Sequence, residues 1–261
     1  MAERPYRTIL VHQDGPIRTI TLNRPERKNP LGPATVNELL YALDDAKADD
    51  GVRVIVLTGA GSAFSAGADL SQLGGGGDGD ALPPKGGFAD LLLRFTELGK
   101  PTIARVPGVA MGGGLGVLAS CDFAVACESA AVGTPEIKRG LFPMMIMAVL
   151  ERLVPRRKLI SMMLLGEKLT AREALELGLL SHVVPDAELD AKVSELATKL
   201  AVQSPTAMRM GLAAFHRQTG RPLRKALPEL EKDLMAILGT EDAREGLSAF
   251  LEKRAPRFTG R

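Results

Sequence analysis

Hydrophobic and polar residues alternate in short runs along the first half of the chain. β-rich runs at Tyr6–Gln13 and Ile17–Leu22 flank the turn sequence DGP and predict a hairpin. Apolar residues then recur at helical spacing over Ala34–Ala48, and the apolar run Val52–Gly59 predicts a buried strand. The chain therefore begins with the pattern of an α/β fold.

The alternation continues to about Met144 and then gives way to helical patterns. Before that point we predict a helix over Ala89–Leu98, strands at PTIARVPG and CDFAVACESA, and an apolar helix over Gly112–Ser120. After it, LSHVVP is the one strand-like sequence. The helices predicted there are Met144–Leu153, Arg156–Leu165, Ala171–Leu177, Glu188–Gln203, Thr206–Gln218, Pro222–Leu238 and Asp242–Lys253. An α/β core followed by a helical C-terminal region is the predicted architecture.

One segment, Gly74–Gly87, has low complexity. Its glycines, acidic residues and Pro-Pro pair cannot pack a core, so we predict a mobile surface loop. A phosphate-binding loop would need a following Lys-Ser/Thr or a dinucleotide-binding context, and neither is present.

Composition narrows the class of protein further. The 261 residues are 45% hydrophobic, which is enough for a large core, and the formal net charge is only +2. A basic stripe interleaved with aromatic residues is missing, so we expect no nucleic-acid partner. Apolar runs are too short for a membrane span or a secretory leader, and Cys121 and Cys127 fit no zinc spacing. We expect a cytoplasmic protein with reduced cysteines and no membrane contact.

The sequence VPGVAMGGGLGVLASCD places three glycines where a helix should begin. Glycine costs about 1 kcal/mol relative to alanine inside a helix, so Gly112, Gly113 and Gly114 need a reason. A helix N-terminus offers free N–H groups, and glycine lets a ligand reach them. With the small-residue loop Ser65–Ala68, these amides could form an oxyanion hole. Tight packing between helix and strand explains the glycines equally well at this point.

Six segments in order resemble the enoyl-CoA hydratase/isomerase (crotonase) family across nearly the full chain. They are LNRPERKNPL, VIVLTGAGSAFSAGADL, KPTIARVPGVAMGGGLGVLASCDFAVA, VGTPEIKRGLFP, LTAREALELGLLSHVVP and EGLSAFLEKRAPRF. The resemblance implies a crotonase-like ββα-spiral core over residues 1–195 and a C-terminal helical region over 196–261 that builds homotrimers or dimers of trimers. It also implies an acyl-CoA thioester as substrate. Because the sequence has no metal-ligand cluster and no nucleotide fingerprint, we expect no metal and no cofactor besides the coenzyme A of the substrate.

The resemblance also implies roles for particular residues. The amides of Ala68 and Gly113 fall at the positions of the family's oxyanion hole, and Glu136 falls at a catalytic carboxylate. Residues expected to bind the substrate and its coenzyme A are Arg27, Lys28, Ala66, Leu70, Gly112 and, from a neighbouring subunit, Phe250 and Lys253.

The chain departs from the family's hydratases at one position. Those enzymes use two glutamates, and Gly116 stands where the first is expected. Hydration needs a base for water and a proton for Cα, work that two carboxylates share readily. Moving a double bond from position 3 to position 2 needs one base that returns its proton. Some relatives that act on branched acyl-CoAs also carry glycine here, so hydration and isomerisation both stay open.

Other possibilities accompany these two reactions. Branched acyl-CoA dehydration, decarboxylation or thioester hydrolysis could use the same scaffold, and a non-catalytic acyl-CoA-binding protein is a further alternative. Dehalogenation is disfavoured because Ile137–Met147 contains no Asp. Side chains that could assist near Gly116 are Asp122, Glu128 and His182, and those that could line an acyl pocket or simply fill the core are Met144, Met145 and Met147.

Overall fold

The computed structural model describes residues 4–72 and 82–261, which contain ten strands and ten α-helices. The strands are β1 Ile9–Asp14, β2 Ile17–Leu22, β3 Val54–Gly59, β4 Ala63–Ser65, β5 Thr102–Val106, β6 Val109–Met111, β7 Phe123–Cys127, β8 Ala131–Gly133, β9 Lys168–Thr170 and β10 His182–Val184. The helices are α1 Pro33–Ala48, α2 Phe88–Glu97, α3 Gly113–Ser120, α4 Met144–Leu150, α5 Arg156–Leu165, α6 Ala171–Glu176, α7 Leu189–Ala201, α8 Pro205–Gln218, α9 Leu223–Leu238 and α10 Glu241–Glu252.

The larger sheet has six strands in the order β1-β2-β3-β5-β7-β10. β1 and β2 form an antiparallel hairpin, and every later neighbour pairs in parallel. All six residues of β3 are buried, as expected for a parallel strand covered on both faces. Helix α1 packs its Leu39, Leu40 and Leu43 into the same core. The hairpin, α1 and β3 are thus confirmed.

A second sheet joins four short strands in the order β4-β6-β8-β9. The chain visits the two sheets in turn: β3, β5 and β7 lie in the first, and β4, β6 and β8, which follow them, lie in the second. β4, β6 and β8 run parallel to one another. The predicted α/β fold with a spiral of ββ units and helices is therefore confirmed.

The C-terminal third is helical, as predicted, with α8 packed against α9 and α10 against both. The proposed boundary at residue 195 falls inside α7, and the division into two regions stays a prediction. Asp242 of α10 holds the chain end: its carboxylate accepts hydrogen bonds from Ser204 Oγ at 2.7 Å and from the amide of Thr259 at 2.8 Å.

The sequence patterns missed the second sheet. We predicted a loop where β4 lies, and no strand at β6, β8 or β9. Each of these strands has only three residues, too few for an alternating pattern to be recognised. Helix α4 also ends at Leu150, three residues before its predicted end. Residues 74–81 of the low-complexity segment lie outside the described residues, while the backbone of Leu82, Pro83 and Lys85 is hydrogen-bonded to Asn37 of α1.

Candidate active site

Three segments that carry predicted site residues follow the ends of three neighbouring strands. The loop Ala66–Ala68 follows β4, Gly112 and Gly113 follow β6, and Thr134–Glu136 follow β8. Because β4, β6 and β8 are adjacent and parallel, their carboxyl ends meet at one edge of the sheet, where α/β proteins commonly bind ligands. The second sheet thereby brings Ala68, Gly113 and Glu136 to one place.

The loop after β4 lies directly against the start of α3. Gly67 has a φ of +94°, and a Cβ on it would stand 2.7 Å from the carbonyl oxygen of Met111 and 3.4 Å from the amide nitrogen of Gly113. The Gly67 carbonyl accepts from the amide of Leu31, and the Leu31 carbonyl accepts from the amide of Asp69. Within the described residues, no backbone carbonyl accepts from the amides of Ala68 or Gly113. Both N–H groups are therefore available to a ligand.

Gly112 connects the start of α3 to Glu136. Its φ of +50° and ψ of −124° form a conformation that side chains rarely adopt. A Cβ on Gly112 would stand 2.7 Å from Oε1 of Glu136 and 3.3 Å from Cδ. The Gly112 amide also donates to the carbonyl of Gly133 at 2.9 Å, which ties α3 to the end of β8. The absence of a side chain lets the carboxylate lie against the helix start.

Glu136 lies on a short 3-10 helix, Pro135–Arg139. Its backbone carbonyl accepts a hydrogen bond from the amide of Leu141 at 3.1 Å. Its Oε2 is buried and has no hydrogen-bond partner in the part of the chain that the structure describes. Burial raises the pKa of this carboxyl because the charged form loses water. A carboxylate with a free, poorly solvated oxygen is suited to take and return a proton.

Gly116 lies one turn into α3, and the space beside it is filled. The three heavy atoms nearest to a Cβ placed on Gly116 are Cγ2 and Cβ of Ile146 and Cζ of Phe88, the last two at 2.9 and 3.7 Å. Ile146 lies on α4, which packs against α3, and only 3% of its surface is exposed. A glutamate at residue 116 would not fit beside Ile146.

Four predicted coenzyme A residues lie on two loops that hold each other. The amide of Ala66 donates to the carbonyl of Lys28 at 2.8 Å. The Arg27 guanidinium donates to Asp69 Oδ1 at 2.9 Å, and Leu70 follows that aspartate with its side chain exposed. Arg27, Lys28, Ala66 and Leu70 therefore form a contiguous rim near the loop that contains Ala68.

Phe250 and Lys253 lie elsewhere in the chain. Both are exposed near the end of α10, whose main packing partners are α8 and α9. Phe250 is 81% exposed. The role predicted for these two residues requires a neighbouring subunit and stays a prediction.

The remaining candidates have other surroundings. The Asp122 carboxylate accepts from the amide and the hydroxyl of Thr102, both at 2.8 Å, and so joins β5 to the start of β7. Glu128 is exposed after β7, and His182 lies on β10 at the edge of the first sheet. Met144 and Met145 are exposed, whereas Met147 is packed against the core.

Sequence reasoning missed three residues around the site. Ile146 and Phe88 border the start of α3, and buried Asp69 anchors Arg27. Only Asp69 could have been found from the sequence, because it is an acidic residue in the motif SAGADL and Arg27 is a basic residue in another loop. In the described ranges, no group of three His, Cys, Asp or Glu side chains could hold a metal ion, and no helix there is long and apolar enough to cross a membrane.

The chain is similar to known proteins over nearly its whole length. Residues 12–261 match the family model described as enoyl-CoA hydratase/isomerase. Enoyl-CoA hydratase EchA19 of Mycobacterium tuberculosis is 36% identical over 257 residues, which cover 97% of this chain and 96% of that protein. The solved structure of an enoyl-CoA hydratase from Mycobacterium smegmatis has a TM-score of 0.89 at 32% identity, covering 97% of this chain and 99% of that one. Human enoyl-CoA hydratase domain-containing protein 3 has a TM-score of 0.89 at 31% identity, with 97% and 100% covered.

Proposed function

Since the chain belongs to the enoyl-CoA hydratase/isomerase family, we propose that it moves the double bond of a 3-enoyl-CoA thioester to position 2 through an enolate. One observation carries the proposal. A half-buried carboxylate, Glu136, lies against the glycine start of α3, and its buried Oε2 has no hydrogen-bond partner among the described residues. Gly116, which stands where the first of the family's two glutamates is expected, supplies no acid or base.

The chemistry needs one proton and one carboxylate. Glu136 as carboxylate takes a proton from Cα, and the C–H electrons move into a dienolate that ends on the thioester oxygen. The amides of Ala68 and Gly113 donate hydrogen bonds to this oxygen, and each such donor is worth roughly 3 kcal/mol in the transition state. Glu136 as carboxylic acid then returns the proton to Cγ. No atom is gained or lost, and no cofactor is required beyond the coenzyme A of the substrate.

The position of Glu136 suits it to both halves of this cycle. Its raised pKa, caused by burial, brings the acid form closer to neutral pH than an exposed glutamate would allow. A base whose pKa approaches the working pH can both accept and return a proton efficiently. Coenzyme A would lie along the rim formed by Arg27, Lys28, Ala66 and Leu70.

Hydration of a 2-enoyl-CoA is the second candidate. It is favoured by the names of similar proteins, several of which are called enoyl-CoA hydratases. Water would add its oxygen to Cβ and its proton to Cα, so Glu136 would have to act as base first and as acid second. The missing carboxylate at Gly116 makes this the less favoured reaction.

Two substrates and one variant test the proposal. Purified protein is mixed with a 3-enoyl-CoA or with crotonyl-CoA, and the ultraviolet band of the conjugated thioester is followed. We expect the band to appear from the 3-enoyl-CoA, and Glu136→Gln to lower kcat by roughly 10²–10⁴-fold while acyl-CoA still binds. Turnover unchanged in Glu136→Gln would overturn the role of this residue. Loss of the band from crotonyl-CoA with no isomerisation would establish the hydratase instead.

A further inference from the structure

Where α3 contacts α4, the apolar side chain of Ile146 fills the space in which a carboxylate at residue 116 would lie. All three heavy atoms nearest to a Cβ on Gly116 are carbon atoms, two from Ile146 and one from Phe88. A Cβ only 2.9 Å from Cβ of Ile146 is closer than real side chains approach. Any residue larger than glycine at 116 therefore requires Ile146 to move.

Ile146 has little freedom to do so. It belongs to the hydrophobic core cluster, and α4 places it between the exposed Met145 and the partly buried Met147. Leu150, one turn further along α4, is fully buried and fixes the same helix face. Well-packed interiors resist the insertion of even one methylene group. The space beside Gly116 is thus closed to a longer side chain by the fold and not only by the choice of glycine.

We propose that Ile146 is a specificity-determining residue that limits this site to one-carboxylate proton transfer. The inference rests on the proposed function. Hydration breaks an O–H bond of water, forms C–O at Cβ and C–H at Cα, and therefore needs a polar group that orients the water on the Gly116 side. Ile146 and Phe88 present only carbon atoms there, so no polar group orients a water molecule, and Glu136 carries the single proton between Cα and Cγ.

Paired substitutions at 116 and 146 test this inference. Gly116→Glu alone should fold less stably and gain no hydratase activity, because its side chain collides with Ile146. Gly116→Glu with Ile146→Ala should recover the Tm and raise kcat/KM for crotonyl-CoA hydration by at least about 10-fold over Ile146→Ala alone. The matched control is Gly116→Glu with Leu150→Ala, which removes a buried side chain from the same helix without opening this space. We expect no gain from it.

A second measurement separates the packing from the chemistry. Gly116→Ala should lower Tm in the wild-type background and lower it clearly less in the Ile146→Ala background. Equal losses in the two backgrounds would overturn the inference, as would a stable Gly116→Glu single variant that hydrates crotonyl-CoA as well as the double variant does. A folded double variant without hydratase activity would also overturn it. By contrast, wild-type protein inactive toward both thioesters would overturn the proposed function, and the Tm comparison would still test the contact.

Discussion

At the scale of single residues, the features that suit the site to proton transfer also destabilise the folded protein. Glu136 is partly desolvated, and its Oε2 has no hydrogen-bond partner in the described part of the chain, which disfavours the charged form in the folded protein. Gly112 accepts a conformation that other residues avoid so that this carboxylate can lie against α3. Such local costs are typical of sites that bind a reacting group, because the ligand supplies the interactions that the free protein lacks.

Gly113 provides a direct test of the oxyanion hole. It is the first residue of α3, a position where proline is tolerated because the N–H is not used by the helix. Gly113→Pro should therefore keep the helix start but remove the donor, and we expect kcat to fall by roughly 10²–10³-fold. The variant's Tm and its kcat with a 3-enoyl-CoA are the measurements.

Gly113→Ala is the control for added bulk. It keeps the N–H and places its Cβ 3.3 Å from Cζ of Phe88, a tight contact that a small shift of the ring relieves. We expect a smaller loss of kcat than in Gly113→Pro. Equal kcat values in the two variants would mean that the Gly113 amide does not stabilise the oxyanion.

At the scale of elements, short strands position the candidate catalytic residues, and loops position the rim proposed to bind coenzyme A. β4, β6 and β8 have three residues each, yet their parallel pairing delivers three site segments to one edge. The rim depends on Asp69, which is buried and accepts hydrogen bonds from the guanidinium of Arg27 and from the hydroxyl of Ser71 at 2.6 Å. This aspartate joins the loop after β4 to the loop before α1.

Asp69→Asn tests that connection. Burial opposes ionisation of Asp69, but the Ser71 hydroxyl and the charge of Arg27 outweigh it and lower its pKa. A lowered pKa in the folded state stabilises the protein above the unfolded-state pKa, and the stabilisation is lost as pH falls through the folded-state value. We expect Asp69→Asn to lower the free energy of unfolding by about 1–3 kcal/mol at pH 7. The difference from wild type should narrow below about pH 4.

The predicted stability loss in Asp69→Asn is checked by denaturant unfolding at pH 7 and below pH 4, and its effect on the rim by KM for the acyl-CoA. Because Arg27 loses its anchor, KM should rise more than kcat falls. Glu26→Gln is a suitable control: it neutralises an exposed carboxylate on the 3-10 helix that carries Arg27. A pH-independent loss of stability in Asp69→Asn would contradict the assigned role.

Elements that are determined by their own local sequence could be predicted, and elements that depend on contacts between distant segments could not. The helices and the strands of the first sheet carry their own periodicity, so β3, α1 and α8 were predicted close to their observed bounds. β4, β6, β8 and β9 are too short to carry a pattern and exist because distant segments pair with them. Glu136 was predicted from its motif, whereas Ile146 was not, because its contact with Gly116 joins residues thirty positions apart.

At the scale of the whole molecule, the C-terminal helices leave an apolar surface uncovered. Ala226 is the one residue of α9 that is buried, although the helix has sixteen residues and several leucines. The large apolar side chains exposed on α8, α9 and α10 are Phe215, Leu223, Leu227, Leu234, Met235, Leu238, Leu247, Phe250 and Leu251. Many large apolar side chains left exposed on neighbouring helices indicate a protein–protein contact. We therefore expect these helices to pack against other copies of the chain, as the predicted homotrimer requires.

Leu227→Asp tests this assembly. We expect wild-type protein to have a solution mass of three or six times 27.7 kDa by light scattering. A charge at Leu227 would be desolvated in the contact, so the variant should dissociate toward the monomer. Because Phe250 and Lys253 are predicted to reach a neighbour's coenzyme A, dissociation should also raise KM for acyl-CoA.

Leu10→Asp is the matched control, since Leu10 on β1 is 54% exposed against 58% for Leu227. A monomeric wild type would refute the assembly, and an unchanged KM in a dissociated variant would refute the shared site.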